Sequence, residues 1–248
     1  MFPPERTFWE LFVTYVSENW PRILALTGQH VMISGIAVCI TLLICIPLGI
    51  YLSKREKLAS VVIGVANVFQ TIPSLALLGF LIFVFGIGND NAICALVLYA
   101  VLPVLQNTYT GLRNVSPVMI QAARGMGMTE TQILLKVQLP LARSVIIAGI
   151  RVATVWVIGT ATLASAIGGG GLGKLIFAGL GALRQEVVLA GALPATVLAL
   201  LADQGLKMLQ NHFEPRRRAL RLARKYAAEE SVREEKDVPG EEMVRHEM

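Results

Sequence analysis

Long apolar runs separated by short polar ones dominate this chain. Residues 31–52, 92–111, 145–166 and 187–206 each reach the ~20 residues that a helix needs to cross hydrocarbon. A fifth apolar stretch, 58–87, is interrupted by "NVFQTIPS". Split at Pro73, it leaves pieces of about 14 residues, or ~21 Å each at 1.5 Å per residue, too short to cross alone. The pattern therefore predicts one long span kinked or broken at Pro73, and an all-α membrane protein with about five transmembrane helices.

The ends and loops set the orientation. Basic residues collect at Lys54–Lys57, between Arg113 and Arg143, and between Lys207 and Lys225. Arg6, Arg22, Lys174 and Arg184 fall on the other side. An excess of Lys and Arg marks the cytoplasmic face, so the N-terminus is expected outside and the C-terminus inside. Residues 1–27 mix Phe8, Trp9, Phe12, Tyr15 and Trp20 with Glu5, Glu10 and Glu18. That order is wrong for a cleavable signal peptide and suits a segment lying at the outer headgroup level. Residues 28–210 form the expected membrane domain. The tail 211–248 begins basic and turns acidic; its first half suits anionic lipid and the remainder is expected to be disordered.

Composition narrows the function classes. Only 16 % of the 248 residues are charged against 54 % hydrophobic, and the net charge of +5 is better explained by the positive cytoplasmic face than by nucleic acid. Cys39, Cys45 and Cys94 lie in apolar runs without metal-ligand spacing, and are expected to be small packing residues. In "SAIGGGGLGKLIFAGLGAL" (165–183), Gly168, Gly173 and Lys174 have the spacing of a phosphate-cradling loop. A true loop of that kind leaves a buried strand and ends in a Ser or Thr that binds Mg²⁺; here a span precedes it and Leu175 follows. The run reads instead as a tight, close-packed turn, and the chain is expected to hydrolyse no ATP itself.

The segment 112–143, "LRNVSPVMIQAARGMGMTETQILLKVQLPLAR", is too apolar for a solvated loop and too polar for a span. Pro117 suits the first turn of a short helix through Val118, Met119, Ile120, Gln121, Ala122, Ala123 and Arg124. Gly125 and Gly127 break it, Thr129 caps a second helix with Gln132 as its capping-box partner, and Pro140 stands where the next span begins. Such a helix pair lies across the inner face of the membrane, touching lipid or a partner.

This segment resembles the signature of permease subunits of binding-protein-dependent ABC importers: Glu-Ala-Ala, three residues, Gly, nine residues, Ile-x-Leu-Pro. Here Gln121-Ala122-Ala123, Gly127 and Val137-Gln138-Leu139-Pro140 stand in register. The departures are Gln121, which lacks the carboxylate, and Val137. "QTIPSLALLGFLI", "VLPVLQNTYTGL", "ARGMGMT" and the stretch 147–180, with its glycine run, resemble the osmoprotectant branch, which carries glycine betaine, carnitine and choline. The resemblance covers roughly 27–210. It implies a type I importer permease fold with no cofactor of its own, working with a second permease subunit and a separate dimer of ABC subunits that holds ATP and Mg²⁺. It also implies an external substrate-binding protein, and a bacterial or archaeal cytoplasmic membrane. The first short helix becomes the coupling helix.

Polar residues inside spans are costly and usually face protein or a water path. Asn67, Gln70, Thr71 and Ser74 surround Pro73 and either line the translocation path or satisfy the kink's own backbone. Trp156 and Thr160 are further path candidates; Trp156 is either packing or a face for a quaternary ammonium group. Arg151 is expected to snorkel inward or to pair with a second subunit, and Asp203 to pair with Lys207 one turn along its own helix. The rival readings are the same machinery carrying an amino acid, and an ion-gradient transporter. Neither inverted repeats nor a buried acid pair speaks for the latter.

Overall fold

The computed structural model describes residues 7–213, and every regular element among them is helical. Helix α1 (Phe8–Ser53) starts at Thr7, whose hydroxyl accepts from the Glu10 N–H while the Glu10 carboxylate takes the Thr7 N–H, a capping box. Apart from Ser34, its buried positions, Ile23, Leu26, His30, Ile33, Ala37, Thr41, Cys45, Gly49 and Leu52, recur every three or four residues, so one stripe faces the protein along most of its length. At 46 residues α1 is ~69 Å long, more than twice the hydrocarbon thickness. No break marks residue 27: the aromatic segment at the N-terminus is part of the same helix as the first span.

The stretch around Pro73 is a break, not a gentle kink. Helix α2 (Glu56–Thr71) and helix α3 (Ser74–Phe85) meet at a bend of 103°. Ile72 is held extended, the conformation a following proline favours, and Pro73 offers no N–H to continue the ladder. Among the described residues, four helices are long and apolar enough to span, or five if this bent pair crosses together.

Helix α4 (Asn89–Arg113) is the centre of the molecule. Its face at Leu96, Ala100, Val104 and Leu105 packs with Ile33, Ala37 and Cys45 of α1 and with Ala153, Val157 and Ala161 of α7 (Leu139–Ala161). Small residues let α4 and α7 touch backbone to backbone: a Cβ on Gly149 would stand 2.6 Å from the Pro103 carbonyl oxygen and 2.5 Å from the Asn107 Cβ. Pro103 sits inside α4 and cannot donate to the carbonyl of Tyr99, four residues back. Gln70 of α2 donates its Nε2–H to that same oxygen at 2.9 Å, and the Tyr99 hydroxyl donates in turn to the Ile72 carbonyl at the break.

Between α4 and α7 lie α5 (Pro117–Gly125), the one-turn α6 (Glu130–Ile133) and a π-helical turn, Leu134–Gln138. After α7 a 3₁₀ turn, Thr162–Ile167, leads into the glycine run, then α8 (Gly173–Gly181) and α9 (Gln185–His212). The run is a close-packed turn, as its composition predicts. A Cβ on Gly173 would lie 1.9 Å from the Thr162 carbonyl oxygen, and Gly171 is held at φ +95° with its backbone against the ring of His30. The Asn89 carboxamide accepts the Gly170 N–H at 2.7 Å.

Candidate coupling and translocation sites

The platform formed by α5 and α6 is built from local rules. Pro117 opens α5 at a position whose N–H would be unbonded anyway. Gly127, at φ +77°, ends it, and the Met128 N–H reaches back to the Ala123 carbonyl at 3.2 Å, closing the six-to-one bond of a left-handed helix stop. Thr129 and Gln132 form the expected capping box, at 3.3 Å for Gln132 N–H to Thr129 Oγ1 and 2.9 Å for Thr129 N–H to Gln132 Oε1. Arg124 pairs with Glu130 at 2.8 Å and ties the two helices across the turn.

The platform divides its signature residues into two sets. Val118, Met119, Gln121, Ala122 and Gly127 are exposed, with Ile120 half-buried beside them. Val118 is 72 % exposed and Met126, just past the helix, 74 %. Ala123 is fully buried, Leu139 packs against Leu112, Ala142 and Ile146, and Pro140 is half-buried. Ala123 and Leu139 thus face the packed interior, and Pro140 is part of α7. Pro140 is the second residue of α7, where the sequence places the start of the next span, yet the helical ladder does not stop there. The helical path is continuous from Glu130 to Ile167, and the π turn beneath Pro140, with the Leu139 N–H bonded to the Leu134 carbonyl, absorbs the ring and the missing donor.

At the break, two of the four polar residues bond to backbone carbonyls. Gln70 is committed to Tyr99, and Thr71 donates to the Val68 carbonyl at 2.7 Å. Asn67 is exposed and Ser74 half-buried. Trp156 lies on α7, 52 % exposed, on the face that also shows Val152, and Thr160 is half-buried one turn on. Trp156 is not a packed core residue.

Two features escape a reading of spacing. Asp203 does not pair along its own helix with Lys207. Its carboxylate faces Arg151 across α7 and α9, with Arg151 Nη2 donating to Oδ2 at 2.9 Å and Nε donating to Oδ1. A planar guanidinium can engage both oxygens at once, which a flexible ammonium cannot. Arg151 accordingly pairs inside the chain. The other feature is His30, fully buried, whose Nε2 stands 3.0 Å from the Ile158 carbonyl. A carbonyl only accepts, so Nε2 carries the proton. A cavity of about 360 Å³ runs below it, lined by Ser34, Val38, Thr154, Ile158 and Leu198 among others.

Comparison with known proteins places this architecture. Residues 45–219 match the family described as the binding-protein-dependent transport system inner membrane component. The chain belongs to this family. Among fellow permeases, it is 46 % identical to the carnitine transport permease protein OpuCB of Listeria monocytogenes over 87 % of this chain and 98 % of that one. It is 45 % identical to the choline transport system permease protein OpuBB of Bacillus subtilis, over 82 % and 94 %. The fold matches a chain of the MetNI methionine ABC transporter in an inward-facing conformation, with a TM-score of 0.69 at 22 % identity, covering 77 % of this permease and 96 % of that chain.

Proposed function

We propose that this permease is the membrane-spanning subunit of an ATP-driven importer for quaternary ammonium osmoprotectants such as carnitine, choline and glycine betaine. The observation that carries the mechanism is the exposed apolar face of α5, Val118, Met119 and Ala122, presented on a platform fixed by caps, a left-handed stop and a salt bridge. An apolar knob in water needs a covering surface. A groove on a separate ATP-binding subunit is that surface, and ATP and Mg²⁺ bind there, not on this chain. The substrate class rests on the relatives named above.

In this reading the N-terminus and the α8–α9 turn lie outside, where a substrate-binding protein delivers solute, and α5 lies in the cytoplasm. A second permease subunit completes the path. ATP drives the cycle because it binds the two partner conformations unequally, and the continuous path from α6 through α7 carries the change into the membrane. The cell membrane concerned is the cytoplasmic membrane of a bacterium or archaeon.

The test is co-purification with the neighbouring ABC subunit, comparing wild type with Val118→Glu/Met119→Glu. Both side chains are exposed, so the variant keeps the fold of the chain. Loss of the ATPase subunit with the variant, and uptake of radiolabelled carnitine or choline by the wild-type complex, are the expected results. A complex that moves methionine and ignores quaternary ammonium solutes sinks the substrate assignment. A chain that purifies without any ATPase subunit and transports on an ion gradient sinks the whole reading.

A further inference from the structure

The structure assigns Arg151 and Asp203 as positioning residues for transport: they carry displacement of the coupling platform from α7 to α9. This inference rests on the importer reading above.

Helix α7 is the direct continuation of the platform, since α6, the π turn and α7 form one helical path. It is packed on α4 through Ala142, Ile146, Gly149, Ala153 and Val157. Helix α9 is held differently. Its first three turns bury Val187, Ala190 and Ala195 against Ile23 and Leu26 of α1 and against Leu172 and Leu175 at the head of α8. Beyond Leu198 that packing stops. Leu200 and Leu201 are exposed, and the cavity of about 360 Å³ lies between α9 and the helices α1 and α7. Thr154 and Ala202 form part of its wall. Arg151 is one turn from Thr154, and Asp203 adjoins Ala202, so the ion pair bridges the two helices beside this gap.

A two-point guanidinium–carboxylate contact sets both the height and the rotation of one helix against the other, which apolar contact across a void cannot do. Both charges are only about a quarter to a third exposed at their side chains. Separating them would leave each without a partner inside a span, so the pair stays closed while its helices move together. The gap leaves room for α9 to follow α7 without unpacking a filled interface.

Arg151→Met with Asp203→Leu is the decisive variant. It removes the tie and leaves no orphan charge, so folding and insertion are preserved. In the assembled complex with its ATPase subunits and binding protein, basal ATP turnover is expected to persist. Substrate-stimulated turnover disappears and uptake falls at least tenfold per extracted complex. The charge swap Arg151→Asp/Asp203→Arg is expected to recover at least half of the uptake lost by either single reversal. Wild-type-like coupling in the apolar pair overturns the inference alone, as does a swap that restores nothing. A wild-type complex that recruits no ATPase subunit overturns the importer reading and this inference with it.

Discussion

At the scale of single residues, fixed contacts decide tolerance. Gly149 has no room for a side chain against Pro103 and Asn107, so Gly149→Val is expected to destabilise the α4–α7 contact by about 1–3 kcal/mol, the usual cost of overpacking. Thermal unfolding in detergent should show the loss, and Gly159→Val, a position with nothing within 4 Å, should not. Gln70→Leu leaves the Tyr99 carbonyl without its donor, for about 1–3 kcal/mol. Residue-scale chemistry was also the most legible. The Thr129–Gln132 capping box, the stop at Gly127 and the close-packed glycine run follow from rules that span only a few positions. The partner of Asp203 was hidden for the opposite reason. A rule for residues four apart sees Lys207 on the same helix, while Arg151 lies 52 positions away and meets Asp203 only once α7 and α9 are placed.

At the scale of elements, register matters more than composition. The π turn Leu134–Gln138 adds a residue to the ladder beneath Pro140 and so sets the rotation of the platform relative to α7. Deleting Lys136 is expected to turn the α5–α6 platform by ~100° against the spans. The variant should insert normally yet fail to hold the ATPase subunit in co-purification, with Lys136→Ala as the innocuous control. Hydropathy located the break at Pro73 but not its 103° bend, because a proline fixes where a ladder stops and the packing of α2 and α3 on α4 fixes the new direction. It also set residues 1–27 apart, since mixed aromatics and acids read as interfacial. The stripe of buried residues on α1 begins at Ile23 and crosses that boundary in step, so the helix does too.

At the scale of the whole molecule, topology is the testable quantity. In a chain stripped of its native cysteines, Leu183→Cys, at the 92 % exposed tip between α8 and α9, is expected to react with an impermeant maleimide from outside intact cells. Lys57→Cys should react only after the membrane is opened; the reverse pattern would invert the orientation. The bond from Gln70 to the carbonyl freed by Pro103 has one more consequence, for biogenesis. In lipid an unbonded carbonyl is expensive, and α4 carries one wherever it goes alone. The helix that satisfies it is made first, since α2 precedes α4 in the chain. Synthesis from the N-terminus therefore delivers the donor before the acceptor needs it. A translocon that releases α2 into lipid only with α4 alongside would hand the bilayer a finished pair, never a solitary span with an open seam.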